Sequence, residues 1–185
     1  MSLRSVCVFC GSHPGRDPGY LEAARRVGEA LAERGMRLVY GGASNGLMGA
    51  LARGARARGG TVLGVLPESL AARELAETAC TDFRVVPDLP TRKALMFSES
   101  DAFLALPGGF GTLDELFEVL VLRQLDTHGK AVGVYDPSGF YEGVFAWVEQ
   151  ATREGFLYPA MVGVLEPLRD PEALGRWLSR VETGP

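Results

Sequence analysis

"DAFLALPGGFGTLDELFEVL", residues 101–120, passes from an apolar run through three glycines into an amphipathic stretch. "DAFLAL" reads as a buried strand. After it, Leu113, Leu116, Phe117, Leu120 and Val121 recur at three- and four-residue spacing, which marks one buried helix face. "PGGFGT" therefore ends a strand and opens a helix. Chains rarely set that much backbone freedom beside a core strand unless the backbone must approach something closely.

The same rhythm extends in both directions. Strands are predicted at 4–10, 37–41, 61–66, 82–86, 101–106 and 130–135, with a weaker one at 161–166. Helical patterns fall at about 18–34, 45–59, 68–78, 90–99, 112–126, 139–154 and 170–180. Apolar strands that alternate with helices imply a parallel sheet covered on both faces. The expected fold is a doubly wound α/β domain of six to seven strands, with residues 1–185 as one unit. Such sheets bind ligands beyond the carboxyl ends of their strands, at the switch in strand order. Three loops converge there: "GSHPGRD" after the first strand, "GGASNGLMG" after the second and "PGGFGT" after the fifth.

The composition is that of a globular protein, with 46% hydrophobic and 23% charged residues. A net charge of −4 argues against a general nucleic-acid or membrane-surface binder. "MSLRSVCVFCGS" lacks the apolar core of a signal peptide, and no apolar run approaches the ~18 residues of a membrane span. Three cysteines, an odd number, fit a reducing compartment, so a cytoplasmic protein is expected.

Of the three loops, "PGGFGT" carries the sharpest signal. Its glycines free backbone N–H groups and Thr112 adds a hydroxyl at a helix start, an arrangement suited to phosphate. Thr112-x-x-Glu115 also matches a capping box, in which both side chains only satisfy helix amides, and the spacing alone does not decide between these readings. "GGASNGLMG" offers either a second anion site or glycines that permit close helix–sheet packing. Neither it nor the first loop matches G-x-G-x-x-G, and no G-x-x-x-x-G-K-[ST] exists, so a dinucleotide cofactor and an ATP-type P-loop are both unsupported. "TRKALM" (91–96) sets Arg92 and Lys93 at a helix mouth, either as an anion clamp or as two cations on a solvated face.

Other chemistries fit poorly. Cys7 and Cys10 form a C-x-x-C on a strand, where odd spacing sends them to opposite faces, so they read as core thiols. His13 and His128 have no Cys/His cluster around them, so no metal site is expected. A Ser-His-Asp triad would lack its G-x-S-x-G elbow.

"FCGS" near residue 9, "YGGASNGLMG", "RK" at 92–93, "PGGFGTLDE" at 107–115 and "EGFLYP" at 154–159 together resemble the LOG family. Its members are often labelled lysine decarboxylase-like or Rossmann-fold nucleotide-binding proteins. The resemblance implies hydrolysis of the N-glycosidic bond of a nucleoside 5′-monophosphate, giving a free cytokinin base or adenine and ribose 5-phosphate. It implies no metal and no organic cofactor, a small-molecule nucleotide substrate, and a homodimer or larger homo-oligomer.

Carried over by motif, Arg92 and Glu115 would be the catalytic pair. Gly108, Gly109, Phe110, Gly111 and Thr112 would hold phosphate or ribose. Lys93, Leu113, Asp114, Ser12 and Gly42 would lie in the pocket with Glu74, which comes from "ARELAE". The chain departs from the family at Leu89-Pro90-Thr91, where many members read M-H-E, at Val121, often threonine in plant members, and at Asp114 in place of glutamate. These changes leave the catalytic pair intact and bear on base selectivity. The decarboxylase label conflicts with the chemistry: a pyridoxal-dependent enzyme needs a Schiff-base lysine, and only Lys93 and Lys130 exist. The competing class is a non-catalytic carrier of a nucleotide or of molybdenum cofactor.

A carboxylate beside the oxocarbenium-like centre of such a reaction could stabilise the cation, activate water or attack directly. Arg92 could keep Glu115 ionised, orient it or hold ribose hydroxyls. The residues leave these roles open.

Overall fold

The computed structural model describes residues 4–71 and 79–184. Seven parallel strands form one sheet: β1 (Ser5–Phe9), β2 (Arg37–Tyr40), β3 (Val62–Pro67), β4 (Asp82–Val86), β5 (Ala102–Ala105), β6 (Ala131–Tyr135) and β7 (Leu165–Leu168). Their spatial order is β4-β3-β2-β1-β5-β6-β7. The chain thus winds one way from β1 to β4, crosses over, and winds the other way from β5 to β7. The reversal falls between β1 and β5, which pair from Val6–Ala102 to Phe9–Ala105.

The helices are α1 (Gly19–Glu33), α2 (Gly46–Ala57), α3 (Glu68–Ala71), α4 (Leu89–Ser98), α5 (Phe110–Gln124), α6 (Glu142–Arg153) and α7 (Pro171–Thr183). Side chains of β1 alternate across the sheet, as the two-residue strand period requires. Val6 and Val8 join a core shared with α1, α2 and α7. Cys7 and Phe9 join a second core shared with α4, α5 and α6. Both cysteines of the C-x-x-C are buried, Cys7 in the second core and Cys10 in the first. This is the separation that their spacing predicts.

Three departures from the sequence expectation have a local physical cause. α5 starts at Phe110 rather than near residue 112, because Gly109 adopts the extended cap conformation. α6 starts at Glu142 rather than near 139, because the buried Asp136 carboxylate accepts from the amides of Phe140 and Tyr141 and holds them in a turn. The seventh strand lies at Leu165–Leu168, after a 3-10 turn at Pro159–Met161, where the sequence suggests 161–166. There Leu165 and Leu168 are buried against β6, and Pro167 is tolerated because β7 is an edge strand. Of the helix expected at 68–78, residues 72–78 lie outside the described residues.

Candidate active site

Beyond the carboxyl ends of β1 and β5 opens a cleft of about 550 Å³, a size suited to a nucleotide-scale ligand. Its floor and one wall are Pro107 to Thr112, Arg92 and Glu115. Cys10, Gly11, Ser12, His13, Leu47, Met48, Leu89 and the aromatic rings of Tyr20 and Phe140 also line the cleft.

The glycine loop does two separate things. Gly108 passes so close to Thr112 and the β1 loop that a Cβ on it would lie 2.1 Å from Thr112 Oγ1 and 2.9 Å from the Gly11 nitrogen. Gly109 then caps α5, and the first intrahelical bond runs from the Leu113 amide to the Gly109 carbonyl (3.2 Å). The amides of Phe110, Gly111 and Thr112 precede that bond and open toward the cleft end of the helix, where the dipole favours an anion. Thr112 is therefore the third helical residue and not the cap. The capping-box alternative for Thr112 and Glu115 does not hold.

Glu115 is the sixth helical residue, about 9 Å along the axis from the cap. Side chains on a helix lean toward its N-terminus, so the carboxylate reaches back into the cleft. Opposite it, α4 is capped by Asp88, whose carboxylate accepts from the Thr91 amide (2.8 Å), with Pro90 in the first turn. That cap fixes the phase of the helix: Arg92 and Met96, four residues apart, turn inward together and both are buried. Arg92 Nη2 lies 3.5 Å from Glu115 Oε1, with each side chain about 10% exposed. Burial pushes the Glu115 carboxyl up to about 7, against the opposing pull of Arg92. Arg92 keeps one unspent donor, since its buried Nε has no hydrogen-bond partner among the described residues.

The site residues named from the sequence divide into two groups. The cleft brings together Arg92, Glu115, Ser12, Gly108, Gly109, Phe110, Gly111 and Thr112. Gly42, Leu113, Asp114 and Lys93 do not line it. Gly42 turns the chain at a positive φ of 79° against Val65 and Leu66. Leu113 packs on the core. Lys93 donates to Asp114 Oδ2 (3.0 Å) and lies 2.6 Å from Glu118 Oε2, outside the cleft. Glu74 lies outside the described residues.

The second glycine loop is a packing device. The amides of Leu47 and Met48, at the start of α2, donate to the Gly11 carbonyl, and the space beside Gly46 is filled by the Ser12 backbone. Of the two alternatives for "GGASNGLMG", close packing is the one the structure shows.

Sequence reasoning missed several contributors. Gly41 leaves room for the Arg92 guanidinium, and Tyr141 ties α6 to the glycine loop through a hydroxyl that donates to the Leu106 carbonyl (2.8 Å). Tyr20 and Phe140 meet edge to face at 6.1 Å across the cleft wall. The aromatic residues carry no signal in the linear sequence, and Gly41, although part of the marked glycine loop, has nothing local that ties it to Arg92.

The chain is thus a Rossmann-like α/β protein with a helix N-terminus open at its switch point. A family model described as "Possible lysine decarboxylase" matches residues 48–177. A cytokinin riboside 5′-monophosphate phosphoribohydrolase of Arabidopsis thaliana is 41% identical over 180 residues, covering 97% of this chain and 83% of that protein. A protein of the same name from Rhodococcoides fascians is 48% identical over 158 residues, covering 85% and 80%. A probable member from Oryza sativa subsp. japonica is 48% identical over 157 residues, and the chain spans 64% of its length. The chain belongs to the LOG family, for which the decarboxylase description is a name and not an activity.

Among solved structures, the molybdenum cofactor binding protein of Rippkaea orientalis aligns over 98% of this chain and 99% of its own, with a TM-score of 0.75 at 21% identity. That likeness concerns the fold.

Proposed function

We propose that the protein hydrolyses the N-glycosidic bond of a nucleoside 5′-monophosphate, with cytokinin riboside monophosphates and AMP as substrates. The observation that carries this reading is the buried Arg92–Glu115 pair at the foot of a cleft whose wall is the open N-terminus of α5. In this reading the amides of Phe110, Gly111 and Thr112 hold the 5′-phosphate, and that remote binding energy places the ribose against Glu115. As the C1′–N bond breaks, its electron pair leaves with the base, and positive charge grows at C1′. The Glu115 carboxylate stands where it stabilises that charge, and a midpoint near neutrality suits a group that exchanges a proton with water. Water supplies the oxygen to C1′ and the proton to the departing base. In this reading Arg92 orients the carboxylate through Nη2, and its guanidinium in the cleft lining holds ribose oxygens.

Lysine decarboxylation finds no support in the geometry. Lys93 is held by two carboxylates, and Lys130 donates to the Phe97 carbonyl (2.8 Å) over the Phe97 ring. Neither lysine lines the cleft.

We also propose that the protein works in the cytoplasm as a homodimer or larger homo-oligomer. Three free thiols support the compartment. Exposed Val121 and Trp147, beside a small apolar hollow with Phe117 and Leu157, support the assembly. No helix among the described residues is long and apolar enough to cross a membrane.

The test is to incubate pure protein with nucleoside monophosphates, isopentenyl-AMP and the matching nucleosides, and to quantify free bases by chromatography. The expected result is base release from the monophosphates only. A carrier would bind nucleotide and release no base.

A further inference from the structure

The α4–α5 contact is a ladder with two rungs. The inner rung is Arg92–Glu115, buried at the cleft. The outer rung uses the adjacent residues: Lys93 on α4 meets Asp114 at 3.0 Å and Glu118 at 2.6 Å, both on α5. Asp114 and Glu118 are four residues apart, so they flank one turn of α5 and receive the ammonium between them. The Lys93 side chain is 23% exposed and does not line the cleft.

We propose that Lys93 is a positioning residue, which fixes the approach of α4 to α5 at which Arg92 meets Glu115 and supplies that carboxylate with a second cation. The inference rests on Glu115 being the carboxylate that acts at the sugar. It separates two neighbours in sequence: Arg92 faces the ligand, and Lys93 acts through Glu115 without touching the nucleotide.

Among the described residues, the charged and titratable groups around Glu115 come from α4, α5 and the first strand with the residue that follows it. Arg92 and Lys93 face it from α4 and favour its ionised form. Asp114 and Glu118 on α5 oppose it. Cys7 on β1 and Cys10 just after it are buried thiols whose titration is pushed to higher pH by burial and by Glu115. Removing the Lys93 charge leaves Asp114 and Glu118 uncompensated beside Glu115. Removing the Glu118 charge does the reverse.

The test reads Glu115 directly. In protein labelled at the glutamate carboxyl carbons, the Glu115 resonance is assigned by its loss in Glu115→Gln and titrated by NMR across the neutral range without substrate. Lys93→Met is expected to raise the midpoint by at least ~0.5 pH unit, Lys93→Arg to leave it near the wild-type value, and Glu118→Gln to lower it. The acid limb of kcat/KM is expected to move with the midpoint in each variant. Glu118 is partly exposed on a helix, so Glu118→Gln keeps the question answerable if Lys93→Met does not fold.

An unmoved midpoint in Lys93→Met, or in Glu118→Gln alone, overturns the proposal. So does a Lys93→Met enzyme with raised KM for AMP and an unmoved acid limb, since that is the signature of a phosphate contact. The midpoint is read without substrate, so a wild-type protein that releases no base would overturn the functional reading while the titration still decides the role of Lys93.

Discussion

Gly41, at the end of β2, lacks a side chain where the Arg92 guanidinium lies: a Cβ at position 41 would sit 1.9 Å from Arg92 Nη2 and 2.8 Å from Met48 Sδ. The inward position of Arg92 depends on that space, since the guanidinium would otherwise meet the carboxyl end of the strand. Both atoms lie at the far ends of flexible side chains and can move aside. Gly41→Ala is therefore expected to displace Arg92 from Glu115 without unfolding the chain. The prediction is a fall in kcat/KM of ~100-fold, because a displacement of about 1 Å at a positioned group costs on that order. Enzyme kinetics together with a melting curve check it; equal losses of activity and stability would contradict it.

Glu115→Gln keeps shape and removes charge, and is expected to abolish base release with the fold intact. In the wild-type protein the carboxyl titrates at about 7, raised by burial. Below that pH it is protonated, so kcat/KM should rise with pH through about 7 and level off above it. Arg92 pulls the midpoint down, so Arg92→Met should shift this limb to higher pH. A pH–rate series on the wild type and Arg92→Met checks both signs, and Glu115→Gln should release no base at any pH in the series.

The same burial has a consequence for stability. The folded-state midpoint of Glu115 lies above its usual 4.5, so the native state holds a proton that the unfolded state has lost. Between about 4.5 and 7 stability must therefore fall as pH rises, by up to about 3 kcal/mol at roughly 1.4 kcal/mol per pH unit. Glu115→Gln mimics the protonated form and should escape this loss. Denaturant unfolding of both proteins at acid and alkaline pH should show the variant gaining relative stability only as pH rises.

Trp147 is 51% exposed and packs edge to face on Phe117 at 5.7 Å, next to exposed Val121. Trp147→Arg sets a charge in this apolar surface at little cost to a monomer. If the surface is covered in a homo-oligomer, light scattering after gel filtration should show the variant at lower mass than the wild type. An unchanged mass would remove this surface from the assembly.

Much of the architecture is written in local sequence. Strand and helix periods alternate strongly enough to give seven strands in order, and Cys7 and Cys10 separate across the sheet as two-residue periodicity demands. The weakest segment differs: "MVGVLE" has strand propensity, yet burial against β6 selects Leu165 and Leu168 and leaves Met161 in a turn. Pairing across the sheet outweighed local preference there.

The site was legible in part, and the division follows from how its pieces are held. Sequence alone placed "PGGFGT" between a strand and a helix, because that information lies within a few consecutive residues. It could not set the cap at Gly109, choose which glycine loop stays open, or say which member of Arg92-Lys93 turns inward. Neighbouring residues on a helix point about 100° apart. Which of them meets the cleft is set by the Asp88 cap, by Met96 on the core and by the space at Gly41. Gly41 reaches Arg92 only once the sheet has brought the end of β2 beside α4. The residue types came from the chain, and the tertiary structure decided which charge is buried against Glu115.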